Sequence, residues 1–355
     1  MGKNVLNALA AILLLHVLLW VALKPVQPKS DDLVYTFHAK ALIAGDYHLT
    51  DSPKNHRLTV IAPTALCIFL FGDNPFSIAL FPLLCSLVTI SALFFFIFRR
   101  SDLLTASLAA LFLACNILQI TYSTALFPDV IVSCFALLTM ISVYNRKASL
   151  AVLFFFIGFF AKEIIILVLP IIGIMCVADL RKKQNVRFWS TFSLLFIFAI
   201  SAIAVSYCLL TGDWNFIYSS VEKYHNETFA VFSNTELIKR FTYEPVIFLL
   251  TTLGYAIPLI YVAPSLFKKS YIRTYFLILL ALLWWMPTSF THLSPVLLFG
   301  YERMWMMLLA PLSALAAFSV TKAVENERHK YLKSAILVAP AVFIAVYFVI
   351  RNSNW

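Results

Sequence analysis

Long apolar runs recur from one end of the 355-residue chain to the other, and they constrain its fold more than any other feature. Windows of about 17 to 25 apolar residues recur along the chain, and this is the length that a helix needs to cross a bilayer. Helices satisfy their backbone hydrogen bonds internally, whereas membrane-spanning strands would alternate polar and apolar residues. Because 62% of the residues are hydrophobic and 12% are charged, no stretch is long and polar enough for a soluble domain. The sequence therefore predicts an all-α, polytopic transmembrane protein.

The runs predict about eleven spans. They cover residues 4–23, 76–98, 103–121, 130–144, 148–161, 164–180, 188–209, 246–266, 274–290, 304–320 and 334–350. We divide the chain into a transmembrane module (1–210), an outer loop (211–245) and C-terminal transmembrane helices (246–355). The first run is too long for a typical signal-peptide core, so we interpret it as a retained signal anchor. The six cysteines are scattered singly, without metal-binding or disulfide spacing.

Basic residues are concentrated in one set of the loops between the runs. This set holds 16 of the 27 lysines and arginines but four of the 17 acidic residues, and the positive-inside rule makes it cytoplasmic. The N-terminus is then cytoplasmic, and the acidic loops lie outside. A net charge of +10 distributed in this way does not indicate nucleic-acid binding. The 16 basic residues are Lys3, Arg99, Arg100, Arg146, Lys147, Arg181, Lys182, Lys183, Arg187, Lys268, Lys269, Arg273, Lys322, Arg328, Lys330 and Lys333.

Two outer segments, 24–75 and 211–245, are longer than a connection needs, which is typical of functional loops. In the first, apolar residues recur every three to four positions from Leu33 to Ala44, and Gly45 follows as a stop. This pattern predicts a short amphipathic helix on the membrane surface, beginning near Asp31. The next apolar run, "LTVIAPTALCIFLFG", is short and contains Pro63. We interpret it as interfacial or re-entrant, because a full span here would invert every later loop.

Three outer carboxylates are candidates for catalysis: Asp31 and Asp32 after the first span, and Asp129 after Pro128. Each also fits the first turn of a helix, where the helix dipole favours an acid by roughly 0.3–1 kcal/mol. The functional interpretation rests on their shared side. Two acidic loop elements facing one cavity could remove a proton and orient an acceptor.

Three basic residues on the same side are candidates for phosphate binding: Arg57, Lys162 in "AKEI", and Arg303. Single interfacial lysines and arginines often only reach toward the membrane surface, which is the alternative for each. Lys162 and Arg303 adjoin apolar runs with few competing charges, a setting that suits the phosphate of a lipid. We expect His16, inside the first span, to have a packing role.

An ordered series of motifs along the chain resembles the GT-C superfamily of polyprenyl-phosphate-sugar-dependent glycosyltransferases. The similarity is greatest to the group that contains protein O-mannosyltransferases and the aminoarabinose transferase of lipid A, and it covers about residues 1 to 180 and 300 to 315. The motifs, in order, are "DDLVY", "AKALIAGDYHL", "HRLTVIAPTALCIFLFGDNPFSIALFPLLCSLV", "FPDVIVSCFALLTM", "GFFAKEIIILVLP" and "GYERMWMMLLAPLSALAAF".

The resemblance implies an inverting transfer of a monosaccharide from a polyprenyl-phosphate carrier to a hydroxyl acceptor. It makes Asp31 the expected base and Asp32 its neighbour. The family usually has Asp-Glu at these positions, so which of the two aspartates accepts the proton stays open. Lys162 corresponds to the family's hairpin lysine and Arg303 to its late arginine. We further expect Tyr35, His56, Glu163, Tyr301 and Glu302 to contact the sugar or the acceptor.

The resemblance also sets expectations for location and partners. We expect a bacterial inner membrane protein with its active site outside, membrane lipids around it, and an envelope glycan or lipid as acceptor. The soluble outer domain of larger relatives does not follow the final "RNSNW", which favours an envelope acceptor. No cofactor is predicted: some relatives use a divalent metal, but two adjacent acids without a third ligand make a poor site. The alternative is a transporter or flippase for a lipid-linked or anionic solute, which would place charges in the middle of its spans.

Overall fold

A computed structural model describes residues 2–25, 31–220, 288–292, 294–297, 306–324 and 330–352, and these residues are almost entirely helical. The helices are α1 (Lys3–Leu23), α2 (Asp31–Ala44), α3 (Leu58–Phe71), α4 (Pro75–Phe98), α5 (Leu103–Ala114), α6 (Ile117–Ser123), α7 (Pro128–Tyr144), α8 (Ala148–Phe159), a 3₁₀ helix (Glu163–Val168), α9 (Leu169–Arg181), α10 (Val186–Thr211), α11 (Met306–Val324) and α12 (Lys330–Asn352). The predicted all-α architecture is confirmed. The predicted span at 246–266 and most of that at 274–290 lie outside the described residues.

One short hairpin departs from the prediction. The strands β1 (Thr288–His292) and β2 (Ser294–Leu297) pair antiparallel, with Thr288 opposite Leu297. The sequence had placed residues 288–290 at the end of a span. Both strands contain β-branched residues, which favour extended backbone. The prediction missed this preference because it was based on the length of the apolar run.

The described residues contain fewer helices able to cross a membrane than the eleven spans predicted for the whole chain. Four helical stretches are long and apolar enough to span a membrane: Lys3–Leu23, Pro75–Phe98, Glu163–Arg181 and Val186–Thr211. A fifth is the bent pair α5 and α6. The predicted spans at 130–144 and 148–161 correspond to helices of 17 and 12 residues, which belong to a shorter apolar class. The protein is thus an integral membrane protein, but eleven spans are not confirmed.

The predicted single span at 103–121 is instead two helices that meet at an angle of 56°. The first helix ends at Ala114, and Asn116 begins the second, because its side-chain oxygen accepts hydrogen bonds from the backbone of Leu118 and Gln119. The Ala114 carbonyl at the end of α5 accepts a hydrogen bond from His16 Nδ1 at 2.8 Å. A second contact from α1 joins Trp20 Nε1 to the Ser123 carbonyl at 2.7 Å. The first span therefore braces the bend, and His16 has the packing role expected of it.

The core of the bundle is formed by α4, α5, α7, α8 and α11. Ile90, Phe94, Ala109, Ile131 and Leu309 are completely or almost completely buried there. By contrast, α10 exposes Leu194, Ile197 and Phe198, as expected of a helix that faces lipid.

The segment after the first span contains α2, the helix predicted from Asp31, which ends at Ala44 just before Gly45, and α3, which contains Pro63. Gly45 adopts a φ of 80°, which a side-chain-bearing residue would disfavour. On α2, Leu33 and Phe37 are exposed while Asp32 and Tyr35 are buried against the protein. The helix therefore turns its apolar residues outward and its polar ones toward the bundle, an arrangement suited to a membrane surface.

Candidate active site

A buried ion pair joins the start of α7 to the turn after α8. Lys162 Nζ lies 2.6 Å from Asp129 Oδ1, and the two side chains are 11% and 1% exposed. Pro128 opens α7, so Asp129 occupies its first turn, where the helix dipole stabilises a carboxylate. Gly158, just before this turn, packs closely against α7 and the 3₁₀ helix: a Cβ there would clash with Ile165 Cδ1 and lie 3.0 Å from Phe135 Cβ. Sequence analysis had treated both residues as candidates, and the structure brings them into direct contact.

Arg57 is the centre of a second cluster, beside the first. Its Nη1 donates a hydrogen bond to the Tyr35 hydroxyl, and its Nη2 donates to Glu163 Oε2 at 3.1 Å. Arg57 Nε is buried and has no hydrogen-bond partner among the described residues. Because Glu163 follows Lys162 directly, this cluster and the Lys162–Asp129 pair share one short segment. The structure thus brings together five predicted site residues from α2, the α2–α3 loop, α7 and the turn after α8.

Burial and the Arg57–Glu163 pair fix the charge states in this cluster. Burial raises the pKa of Tyr35 far above its ordinary value and outweighs the opposing effect of Arg57, so the phenol stays neutral. For Arg57, burial opposes the charged form, but Glu163 and Tyr35 more than compensate and raise its pKa. Arg57 is therefore a permanent cation held in a largely desolvated position.

Asp31 and Asp32 have different surroundings. Asp31 Oδ1 lies 2.7 Å from Lys54 Nζ, and its side chain is 23% exposed. Asp32 is buried at 5% exposure, and its carboxylate accepts a hydrogen bond from the backbone of Leu33 at 3.1 Å. Asp31 is thus the more accessible of the two. Lys54 was not predicted as a site residue, although it lies three positions before Arg57 in "PKNHR".

The loop between α2 and α3 is organised around Asn55, which is completely buried. Its amide nitrogen donates to the His48 carbonyl at 3.0 Å and lies 3.2 Å from His38 Nδ1. Its side-chain oxygen accepts from the backbone of Thr50 at 3.2 Å. These bonds position Lys54 on one side of Asn55 and His56 on the other. Sequence analysis missed Asn55, because a single asparagine in a polar loop gives no distinctive signal.

His56 is buried between this loop and the end of α10. Its ring lies 4.9 Å from that of Phe216 and 5.7 Å from that of Tyr207, measured between centroids. Neither imidazole nitrogen has a hydrogen-bond partner of standard geometry among the described residues. Burial lowers the pKa of His56 below 6.5, so the ring is neutral near pH 7. A neutral imidazole can both donate and accept a hydrogen bond.

An apolar cavity of about 440 Å³ lies against Glu163 and Tyr207. Such a volume falls within the range of small-molecule sites, about 300–1,000 Å³. The lining combines aliphatic with aromatic side chains, among the latter Phe155, Phe159, Phe196 and Trp214. An apolar cavity therefore adjoins the Arg57–Glu163 pair. This arrangement places a surface for a hydrocarbon chain beside a fixed cation.

The remaining predicted residues, Tyr301, Glu302 and Arg303, lie outside the described residues. Helix α11 begins at Met306, three residues after Arg303, and the Met306 carbonyl accepts a hydrogen bond from Ser133 Oγ at 2.9 Å. Ser133 is one helical turn after Asp129 on α7. No three His, Cys, Asp or Glu side chains converge in the part of the chain that the structure describes.

The fold and the site together define an all-helical membrane protein with a charged cluster at one end of the bundle. Comparison with solved structures identifies this architecture as the predicted GT-C fold. The chain superposes on ArnT from Cupriavidus metallidurans bound to undecaprenyl phosphate, with a TM-score of 0.64 and 12% identity over 99% of this chain and 71% of that one.

Two structures of the Archaeoglobus fulgidus oligosaccharyltransferase are also similar. The apo form gives a TM-score of 0.63 and 13% identity over 99% of this chain and 56% of that one. The complex with Zn and sulfate gives 0.60 and 13% over 96% and 53%. This chain thus spans about half the length of the oligosaccharyltransferase, and identities this low establish the fold alone. No protein-family model and no curated protein matches the sequence.

Proposed function

We propose that this protein is an inverting glycosyltransferase that moves a monosaccharide from a polyprenyl-phosphate carrier to a hydroxyl acceptor on the non-cytoplasmic side of the membrane. The observation that supports this most is the convergence of carboxylates and buried cations from four separate segments beside an apolar cavity. A lipid-phosphate donor needs both features, one for the phosphate and one for the chain. The likeness to ArnT bound to undecaprenyl phosphate is consistent with such a donor.

The phosphate would be held by Arg57 and Lys162, joined by Arg303. Arg57 has a buried Nε–H without a partner among the described residues, and guanidinium groups bind phosphate oxygens with charge-assisted hydrogen bonds. The first stretch of the isoprenoid chain would occupy the aromatic cavity beside Glu163. The sugar would then lie toward Asp31, within the same cluster.

In the transfer step, Asp31 accepts the proton of the acceptor hydroxyl. The hydroxyl oxygen attacks the anomeric carbon from the face opposite the phosphate, a new glycosidic bond forms, and the bond between that carbon and the phosphate oxygen breaks. The electron pair leaves with the lipid phosphate, whose added charge the two cations stabilise. Asp31 suits the role better than Asp32, because Asp32 is buried and its carboxylate is hydrogen-bonded to its own helix turn.

The acceptor would be a cell-envelope glycan or lipid. The outer loop 211–245 is the proposed acceptor element, and its residues 221–245 lie outside the described part of the chain. His56, which contacts Tyr207 near the end of α10 and Phe216 at the start of that loop, would border the acceptor path. Exchanging the loop with that of a relative should transfer acceptor preference.

The decisive experiment substitutes Asp31. Asp31→Asn should lower transfer from a labelled polyprenyl-phosphate sugar by about 10²–10⁴, the contribution of a positioned base. Asp46→Asn, an exposed acid on the same outer segment, is the matched control and should retain full activity. Lys54→Met removes the ion-pair partner of Asp31 without removing the base, so it should lose much less. Full activity in Asp31→Asn would contradict the assignment.

A further inference from the structure

A second apolar cavity, of about 200 Å³, lies at the opposite end of the bundle from the charged cluster. It is enclosed by the last turns of α4 and α7 together with α9 and α11. Its lining among the described residues is apolar apart from the Tyr144 hydroxyl. Apolar cavities of about 150 Å³ remain dry and accept small hydrocarbons, so this one suits hydrocarbon rather than water.

The cavity opens on the surface of α9. Met140 and Ala314 are buried at its inner side, whereas Ile174 is 48% exposed and Ala178 is also exposed. The neighbouring α9 residue Val177 is 50% exposed and apolar as well. An exposed apolar helix surface in a membrane protein faces lipid chains, so the mouth of the cavity faces the hydrocarbon of the membrane.

A fixed guanidinium marks the polar end of this cavity. Arg100 lies 3.9 Å above the Phe96 ring and 4.2 Å above the Tyr144 ring, and both rings line the cavity. Its Nη2 donates to Asn145 Oδ1 at 2.9 Å and its Nη1 to the Phe96 carbonyl at 3.0 Å. Two of its five N–H donors are used in this way, and the side chain is exposed at the surface.

The surroundings of Arg100 are strongly basic. Within the described residues 99–102, 145–147 and 179–187 at this end of the bundle, the acids are Asp102 and Asp179, and Asp179 is already paired with Arg146 at 2.7 Å. Against these stand eight basic residues: Arg99, Arg100, Arg146, Lys147, Arg181, Lys182, Lys183 and Arg187. A ligand that combines a hydrocarbon chain with an anionic head group would complement both the cavity and this rim.

We propose that this cavity binds one acyl chain of an anionic phospholipid from the leaflet on the basic side, with the lipid phosphate at Arg100. The site is separate from the proposed donor site, because the donor phosphate would lie at the far end of the bundle, near Arg57 and Lys162. The proposal does not depend on glycosyl transfer and can be tested on lipid binding alone.

Native mass spectrometry of the full chain in detergent provides the test, with phosphatidylglycerol and phosphatidylcholine of matched acyl chains supplied in equal amounts. We expect phosphatidylglycerol to be retained over phosphatidylcholine by about fivefold, the effect of one basic residue near an anionic lipid surface. Arg100→Gln should abolish this preference while retaining binding of a lipid chain. Arg187→Gln, which removes an exposed charge elsewhere on the same face, should preserve the preference.

Two neighbouring substitutions test the cavity itself. Ala178→Phe places a ring at the mouth and should lower retention of both lipids, whereas Val177→Phe adds the same ring one residue away and should not. Equal melting temperatures would show that all four variants are folded. The proposal is overturned if the two lipids are retained equally by the wild-type protein, or if Ala178→Phe behaves like Val177→Phe. It is also overturned if added undecaprenyl phosphate displaces phosphatidylglycerol in proportion to its concentration. That result would show that the cavity binds the lipid-phosphate carrier and not a membrane phospholipid.

Discussion

The buried pair Lys162–Asp129 provides a quantitative test of how charge stabilises the end of the bundle that holds the candidate site. Removing one member of a buried ion pair typically costs 3–5 kcal/mol, because the other charge remains desolvated. For Lys162→Met the remaining charge is Asp129, which is 1% exposed. Asp129 would keep its favourable interaction with the helix dipole at the N-terminus of α7, which typically offsets about 1 kcal/mol of this cost. We therefore expect Lys162→Met to lower the free energy of unfolding by ~2–4 kcal/mol.

The opposite substitution should cost less. In Asp129→Asn the remaining charge belongs to Lys162, whose side chain is 11% exposed and flexible enough to carry its ammonium toward the surface. We expect a loss of ~1–3 kcal/mol, since the asparagine oxygen still accepts a hydrogen bond. The double variant removes both charges, so it should be more stable than the sum of the single effects predicts by ~1–3 kcal/mol.

Unfolding of the purified protein in mixed micelles, followed by tryptophan fluorescence, measures these differences where it is reversible. Where it is irreversible, melting temperatures at one fixed scan rate give the same order. Lys147→Met, an exposed lysine in the α7–α8 connection, is the control for loss of a lysine. The reasoning is refuted if Lys162→Met is as stable as Lys147→Met, or if the two single effects simply add in the double variant.

Three further outcomes follow from the structure. In the unfolded chain His56 binds a proton near pH 6.5, whereas burial lowers the pKa of His56 in the folded protein. The unfolded state therefore binds more protons below this pH, so stability should fall as the pH drops below 6.5. Melting temperatures at about pH 7.5 and 5.5 should therefore differ less in His56→Phe than in the wild-type protein; an unchanged difference would contradict this. His16→Phe should cost ~1–3 kcal/mol, because the Ala114 carbonyl loses its partner, whereas Leu14→Phe, at an exposed position, should be neutral in the same assay. Transfer should survive EDTA, since the adjacent acids Asp31 and Asp32 make a poor divalent-metal site; loss of activity restored by added metal would show a metal requirement.

Sequence patterns predicted the elements whose stability depends mainly on interactions between residues close together in the chain. The helix from Asp31 to Gly45 was predicted at nearly its observed bounds, because apolar periodicity, acids in the first turn and a terminal glycine are all encoded within one segment. The bend at Cys115 and Asn116 was missed, because hydropathy averages over one asparagine in an apolar run. Its stability also depends on side chains of α1 that are distant in sequence, and no window of sequence includes them.

The proximity of the candidate residues was predicted better than their individual contacts. Alternation of inner and outer loops placed Asp31, Asp129, Arg57 and Lys162 at one end of the bundle, and all four lie in or beside the cluster there. Their pairing could not be predicted, because it depends on how α2, α7 and the turn after α8 approach one another. Lys54 was overlooked for the same reason: nothing in its local sequence distinguishes it from other lysines in polar loops, and its contact with Asp31 is visible only in the structure.

The ion pairs also explain how a mainly apolar chain fixes the relative orientation of the elements around the candidate site. Apolar contacts discriminate poorly between a neighbouring helix and lipid, so orientation in a membrane depends on close packing and polar contacts. Arg57 joins α2 to the turn after α8 through Tyr35 and Glu163, and Lys162 joins the same turn to α7 through Asp129. The cations proposed to bind the donor phosphate are therefore also those that connect α2, α7 and the turn after α8. A substitution at Arg57 or Lys162 should change stability and donor affinity together, so only variants measured for both can separate a binding role from a positioning one.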